Sequence, residues 1–165
     1  MRHLLLLRHG AAAATSTAGD RERPLTREGR RAVHGLRAHL SVSEPPPDLV
    51  LCSPARRTRE TLELLAPAWA PKPESIVEEA LYLADAASLL QRLRDIEPET
   101  GGILVVGHNP GLEMLARILA GTGDQALSGG FPTAAVAIFE ISAPWSELAP
   151  ASAKLLRLFV AKAEA

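Results

Sequence analysis

Two histidines each follow a short apolar run. His9 comes directly after Leu4-Leu5-Leu6-Leu7-Arg8, and His108 after Ile103-Leu104-Val105-Val106-Gly107. A third run, Leu49-Val50-Leu51-Cys52, leads into Ser53, with Arg56 and Arg57 just beyond. Imidazole is the side chain that is substantially neutral, and so nucleophilic, near pH 7. Guanidinium is a permanent cation whose planar fork matches an oxyanion. Histidine set among arginines therefore suggests phosphoryl transfer to nitrogen rather than acid–base work at a carbonyl, the arginines spreading charge over the oxygens of the transferred group. A serine–histidine hydrolase is the weaker reading, because Ser53 stands before a proline and no glycine-flanked elbow surrounds it. Cys52, inside an apolar run, reads as a small buried hydrophobe.

The elements that must position these groups follow from the pattern around them. Apolar runs this short, without polar alternation, read as strands buried on both faces of a sheet. Helix signals fall between them. Thr26 caps a helix over about 27–40, with Val33, Leu36 and Leu40 at helical spacing, and Ser53-Pro54 is a cap-plus-proline entrance to a helix reaching about Ala66. Asp85 caps a third helix carrying Leu89, Leu90 and Leu93. Asn109-Pro110 opens a fourth, through Leu112, Leu115, Ile118 and Leu119, which stops at Gly121. Ser75–Val77 is a short edge-strand candidate, and Ala134–Ile141 and Leu155–Val160 are two more strands. Residues 11–23 read as an irregular loop over the first strand end, and 121–130 as turn-rich.

Strands alternating with helices predict an α/β fold, a three-layer α/β/α sandwich around a mostly parallel central sheet. The 165 residues, 47% of them hydrophobic, suffice for one well-packed core and predict a single domain over 1–165. If the three strands are parallel neighbours, Arg8, His9, Ser53, His108 and Asn109 share one rim with the starts of two helices, whose positive ends favour an anion.

The formal charge of −1 gives no reason to expect nucleic acid. No apolar run approaches the roughly 20 residues needed to cross a bilayer, and the amino terminus lacks a signal-peptide layout. One cysteine allows no intrachain disulfide and fits a reducing, cytoplasmic setting. A Walker-type loop and a carboxylate cluster for magnesium are both missing, and His34 and His39, among arginines, read as solvated surface groups rather than metal ligands. The expectation is therefore no cofactor, no metal, no nucleic-acid partner and no membrane.

Three ordered segments carry a resemblance: Arg8-His9-Gly10, Ser53-Pro54-Ala55-Arg56-Arg57-Thr58-Arg59-Glu60-Thr61 and Val106-Gly107-His108-Asn109-Pro110. Together with Arg23-Pro24-Leu25-Thr26 and Gly29, they resemble the histidine phosphatase superfamily, the phosphoglycerate mutase-like family. The small size and Leu81-Tyr82-Leu83-Ala84 look most like its phosphohistidine phosphatases of the SixA type. The resemblance implies a metal-independent phosphatase in which His9 is transiently phosphorylated and Arg8 grips the phosphate. It implies that Arg57, rather than Arg56, is the key arginine of the middle segment. His108 would be the second pocket histidine, hydrogen-bonding a phosphate oxygen, with Asn109 beside it in the phosphate site.

In one place the chain departs from the broader family. Many members that cleave phosphate esters place an acidic residue as general acid after the third strand, where Leu81-Tyr82-Leu83 stands here. Glu78, Glu79 and Asp85 are the nearest carboxylates, and Glu79 is the candidate stand-in. An alkoxide leaving group needs a proton in the transition state, whereas an imidazole, with a conjugate-acid pKa of ~6.5, departs with little help. Absence of the acid thus favours phosphohistidine over sugar phosphates. The implied partner is a phosphohistidine-bearing protein, such as a phosphotransfer domain, or else a small phosphorylated substrate; a non-catalytic phosphate-binding regulatory module is the alternative of another class. Arg21, Arg23, Arg27, Arg30 and Arg31 form a cationic stretch that either steers an acidic phosphoprotein or is simply a solvated face.

Overall fold

The computed structural model describes residues 1–122 and 124–162. In chain order its main elements are β1 (Arg2–Arg8), α1 (Arg27–Ser43), β2 (Leu49–Cys52), α2 (Arg56–Leu65), β3 (Glu74–Val77), α3 (Ala86–Arg94), β4 (Gly102–Gly107), α4 (Gly111–Ala120), β5 (Ala135–Ile141) and β6 (Lys154–Val160). The strands form one sheet in the order β3-β2-β4-β1-β5-β6. Neighbours from β3 to β1 are parallel, β5 is antiparallel to β1, and β6 is antiparallel to β5. Only β5 runs against the other strands.

Burial on both faces explains why the central strands are apolar throughout. Leu4 and Leu6 of β1, Leu51 of β2, and Ile103 and Val105 of β4 point into one core, together with Leu89, Leu90 and Leu93 of α3 and Leu112, Leu115 and Leu119 of α4. Leu5, Leu7, Val50, Cys52, Leu104 and Val106 point the other way, onto Val33, Leu36 and Leu40 of α1 and Leu65 of α2. Successive strand side chains alternate between faces, so a strand covered on both sides has no polar position to alternate with. This is the three-layer α/β/α sandwich expected from the chain, with a mixed, mostly parallel sheet. No helix among the described residues is long and apolar enough to cross a membrane.

The segment after β1 is held down by backbone contacts. Thr26 N donates to Ala11 O at 2.9 Å, Ala13 N donates to Pro24 O at 2.8 Å, and Ala12 bridges Leu25. Thr26 caps α1 by accepting from Gly29 N at 3.0 Å. A Cβ on Gly29 would stand 2.1 Å from Ala11 O, so only glycine permits this approach. At the strand end itself, Gly10 N donates to the Thr61 hydroxyl at 3.1 Å, and that hydroxyl donates to Arg57 O at 2.7 Å, which ties β1 to α2.

Two helices begin further along the chain than the sequence reading places them. The Ser53 hydroxyl is bound to His108, and α2 begins at Arg56, with Ala55 at the cap. Asn109 Oδ1 does accept from Glu113 N at 3.1 Å, but Pro110 takes the cap position and α4 begins at Gly111. A Cβ on Gly111 would stand 2.0 Å from Ala84 O, which packs the start of α4 against the approach to α3. The 121–130 segment carries a short 3-10 turn at Gln125–Leu127, and Gly123 lies outside the described residues. His34 is exposed as expected. His39 instead stacks flat on Phe159, ring centroids 3.8 Å apart, because α1 lies against the end of the sheet that carries β6.

Candidate active site

Strand register brings the reactive residues together. β1 and β4 pair with Arg8 opposite Gly107, so His9 falls beside His108 one residue further on. β2 and β4 pair with Cys52 opposite Val106, which sets Ser53 beside Gly107. The ladder continues past the strands, with His9 N donating to Gly107 O at 3.3 Å and Ser53 N to Val106 O at 3.1 Å. The two imidazoles meet edge to face, with centroids 5.4 Å apart. They lie on an open pocket of ≈ 510 Å³ that Arg8, Asp20, Arg23, Arg57, Tyr82 and Asn109 also line. The pocket stands at the carboxyl ends of the parallel strands, the expected rim.

Hydrogen bonds fix the tautomer of each ring. His9 Nδ1 lies 2.7 Å from Gly10 O, and a carbonyl can only accept, so Nδ1 carries the proton and Nε2 keeps its lone pair. His108 is the converse. Arg57 Nη2 donates to its Nδ1 over a long 3.4 Å, so the proton sits on Nε2 and is donated to Ser53 Oγ at 2.7 Å. Ala55 N also donates to that hydroxyl, at 3.3 Å. Ser53 therefore orients a histidine, a role with no signal in its own neighbourhood of the sequence.

Both imidazoles are held neutral. His9 is 7% and His108 4% exposed. Burial is the main cause of a pKa lowered to about 4 for His9, opposed by the Gly10 hydrogen bond and reinforced by Arg57, Arg8 and Arg23. Burial, then Arg57, lowers His108 to about 3. The sign of the pH effect follows. Below the ordinary value of 6.5 the unfolded chain takes up protons that the folded chain refuses until about pH 4, so the pair stabilises the fold fully above 6.5 and loses that contribution as pH falls. In a proton NMR titration at physiological salt, the His9 and His108 ring protons should show no midpoint near 6.5, staying unshifted until well below pH 5.5. A midpoint above 6 for either ring would contradict this environment.

The cationic groups differ in how they are held. Arg57 is 2% exposed, donates Nη1 to Asp20 O at 2.8 Å and Nη2 to Asp20 Oδ2 at 3.1 Å, and has its Nε buried without a partner among the described residues. Arg8 donates Nη1 to Phe131 O at 3.0 Å, and its Nε is likewise buried and unpartnered. Arg56, one residue from Arg57, faces solvent and pairs with Glu60 at 3.2 Å. Helical geometry explains this split, since adjacent residues on a helix point about a quarter-turn apart. Asn109 Nδ2 donates to Phe131 O at 2.9 Å, which leaves one amide N–H for a ligand. Among the described residues no three His, Cys, Asp or Glu side chains gather into a metal-binding group.

Glu79 is not brought into the pocket. Its carboxylate pairs with Arg21, which lowers its pKa, and the side chain is 68% exposed. Glu78 forks onto Arg92 and Asp85 caps α3 by accepting from Ser88 N, so neither neighbouring carboxylate is free. Much of the arginine stretch is paired as well: Arg21 with Glu79, Arg23 with Asp20, and Arg30 with Glu60. The carboxylate that does reach the pocket is Asp20. It is joined by Tyr82, whose hydroxyl donates to Asp20 and whose ring meets His108 at 5.6 Å. The sequence held one signal for Asp20, its three-residue spacing from Arg23, which matches the observed ion pair at 2.9 Å. Tyr82 carried none.

Comparison with known proteins adds to this geometry. The family model described as the histidine phosphatase superfamily (branch 1) matches residues 4–82. An uncharacterised protein of Mycobacterium tuberculosis is 31% identical over 163 residues, covering 93% of this chain and 99% of that protein. A solved structure from Nakamurella multipartitia, provisionally named phosphohistidine phosphatase SixA, superposes with a TM-score of 0.85 at 27% identity, over 97% of this chain and 96% of that one. A mycobacterial glucosyl-3-phosphoglycerate phosphatase shares the fold, with a TM-score of 0.62 at 18% identity over 99% of each chain.

Proposed function

The chain belongs to the histidine phosphatase superfamily, and from that premise we propose that it hydrolyses phosphohistidine on a partner protein through a phosphorylated His9. His9 Nε2 attacks phosphorus while the substrate imidazole leaves, and water then takes the phosphoryl group from His9, restoring the ring and releasing inorganic phosphate. The observation that carries this reading is the Gly10 carbonyl on His9 Nδ1, which leaves a neutral Nε2 lone pair beside Arg8, Arg57 and His108. Arg8 and Arg57 hold the phosphoryl oxygens. His108, whose Nε2 proton goes to Ser53, positions Arg57 through Nδ1 rather than donating to phosphate, and Asn109 adds its remaining amide N–H.

Support for the substrate class comes from the carboxylates. An ester needs an acid to protonate its leaving alkoxide, and a poised acid must hold a proton near neutral pH. Glu79 is turned to Arg21, and Asp20 is kept ionised far below the ordinary carboxylate range by Tyr82 first, then Arg23 and Arg57. Neither can supply that proton. A phosphohistidine ring instead takes its proton from solvent on its far nitrogen, with a pKa of ~6.5, and leaves as neutral imidazole without a protein acid.

The test is a paired assay at pH 7 on a phosphohistidine-bearing phosphotransfer domain and on a sugar phosphate. The expected kcat/KM is at least about 10²-fold higher on phosphohistidine, the typical worth of general acid catalysis that an ester would lack. Preference for the sugar phosphate would replace this reading with a small-molecule phosphomonoesterase. No turnover of either, nor of p-nitrophenyl phosphate, would leave a phosphate-binding module.

A further inference from the structure

Asp20 is the single acidic residue among those lining the pocket, and its surroundings are those of a bound anion. Arg57 reaches it twice, at the backbone O over 2.8 Å and at Oδ2 over 3.1 Å. Arg23 Nε donates to Oδ1 at 2.9 Å, and the Tyr82 hydroxyl donates to Oδ2. Two guanidiniums and a hydroxyl thus converge on one carboxylate, as they would on the oxygens of a phosphoryl group. The Asp20 side chain is 46% exposed, although the Arg57 it holds is almost wholly buried. It sits on a single 3-10 turn, Asp20–Glu22, entered through Gly19 at φ 98°.

We infer that Asp20 is a resident counter-anion: its carboxylate occupies Arg57, Arg23 and Tyr82 between turnovers, gives them up to an arriving phosphoryl group, and by returning drives inorganic phosphate out. The inference rests on the phosphatase reading of the same pocket. Its physical basis is competition. A phosphoryl dianion and a carboxylate cannot both take the same edge of Arg57, and if Asp20 stayed in place its charge would repel the ligand. Either way, its negative charge weakens phosphate binding. A residue that merely braced Arg57 would do the reverse, since its loss would loosen the guanidinium and weaken the ligand.

Asp20→Asn separates these cases, because it keeps size, backbone carbonyl and one acceptor while removing the charge. Inorganic phosphate is titrated calorimetrically into the unmodified protein and into D20N at pH 7, with urea midpoints measured to establish that both fold. D20N should bind phosphate at least about tenfold tighter. Its KM for p-nitrophenyl phosphate should drop in parallel, and its kcat should fall or hold as product release slows. Tyr82→Phe, which leaves the charge and removes a donor from Asp20 and the arriving phosphoryl group alike, should not tighten phosphate; tightening equal to that of D20N would overturn the inference, because it would need no loss of charge. Equal or weaker phosphate binding by D20N would overturn the inference, as would failure of both proteins to bind phosphate. Because the titration needs no turnover, it succeeds or fails independently of the substrate; absence of hydrolysis by the unmodified protein would instead overturn the phosphatase reading.

Discussion

Replacing His9 with Ala is expected to reduce hydrolysis of p-nitrophenyl phosphate by about 10⁴-fold or more, the scale seen when a covalent nucleophile is removed from an intact site. The loss should be this large because no other group can take over. Cys52 is fully buried and its thiol is pushed up to about 12, chiefly by burial, so it presents no thiolate. The Ser53 hydroxyl is bound to His108 and lacks a basic partner aimed at it, His108 being the donor in that hydrogen bond. Phosphate affinity should survive in H9A, since Arg8 and Arg57 are untouched, and the KM should change little while kcat collapses. Retention of more than a tenth of the activity would show that another residue carries the phosphoryl group.

The second large effect separates two adjacent arginines. Arg57→Ala should lower kcat/KM by about 10²- to 10³-fold, the usual result of deleting one preorganised donor to developing charge. Arg56→Ala should stay within about twofold, because its guanidinium lies in solvent on Glu60, where an ion pair is worth little. Since Arg57 is buried and ties the Asp20 turn to α2, the alanine variant needs a urea denaturation control. Arg57→Lys supplies a second measurement: it keeps the charge and much of the volume but loses the fork, and should fall between the other two. Equal losses at positions 56 and 57 would remove Arg57 from the site.

The layout of the strand ends was legible because it depends on a pattern that survives in one dimension. Three apolar runs, each with a polar residue at its end, read as strands covered on both faces, although periodicity alone does not separate them from helix segments, and parallel pairing then places His9 beside His108. The antiparallel entry of β5 next to β1 was not legible. Its apolar residues would suit either direction. Asp20 and Tyr82 were missed for a different reason. Both sit in segments without periodicity: Asp20 reaches the pocket where Ala11, Ala12 and Ala13 are pinned to Pro24, Leu25 and Thr26, which folds the intervening loop back over the strand end, and Tyr82 where the 3-10 turn Glu79–Leu81 follows β3. The role of Ser53 was not legible because its second partner is tertiary: the hydroxyl accepts from Ala55 N at the entrance to α2 and also takes the His108 proton, and a buried imidazole left without its acceptor would be costly.

Whether His9 becomes phosphorylated is decided most directly by rapid quench. The protein is mixed with a phosphorylated substrate, stopped in alkali within a turnover, digested and examined by mass spectrometry. The expected result is a phosphoryl group on the peptide holding His9, stable in alkali, lost in mild acid and absent from H9A. Turnover at an undiminished rate with no phosphoryl group on that peptide, or with the group on any other residue, would contradict it.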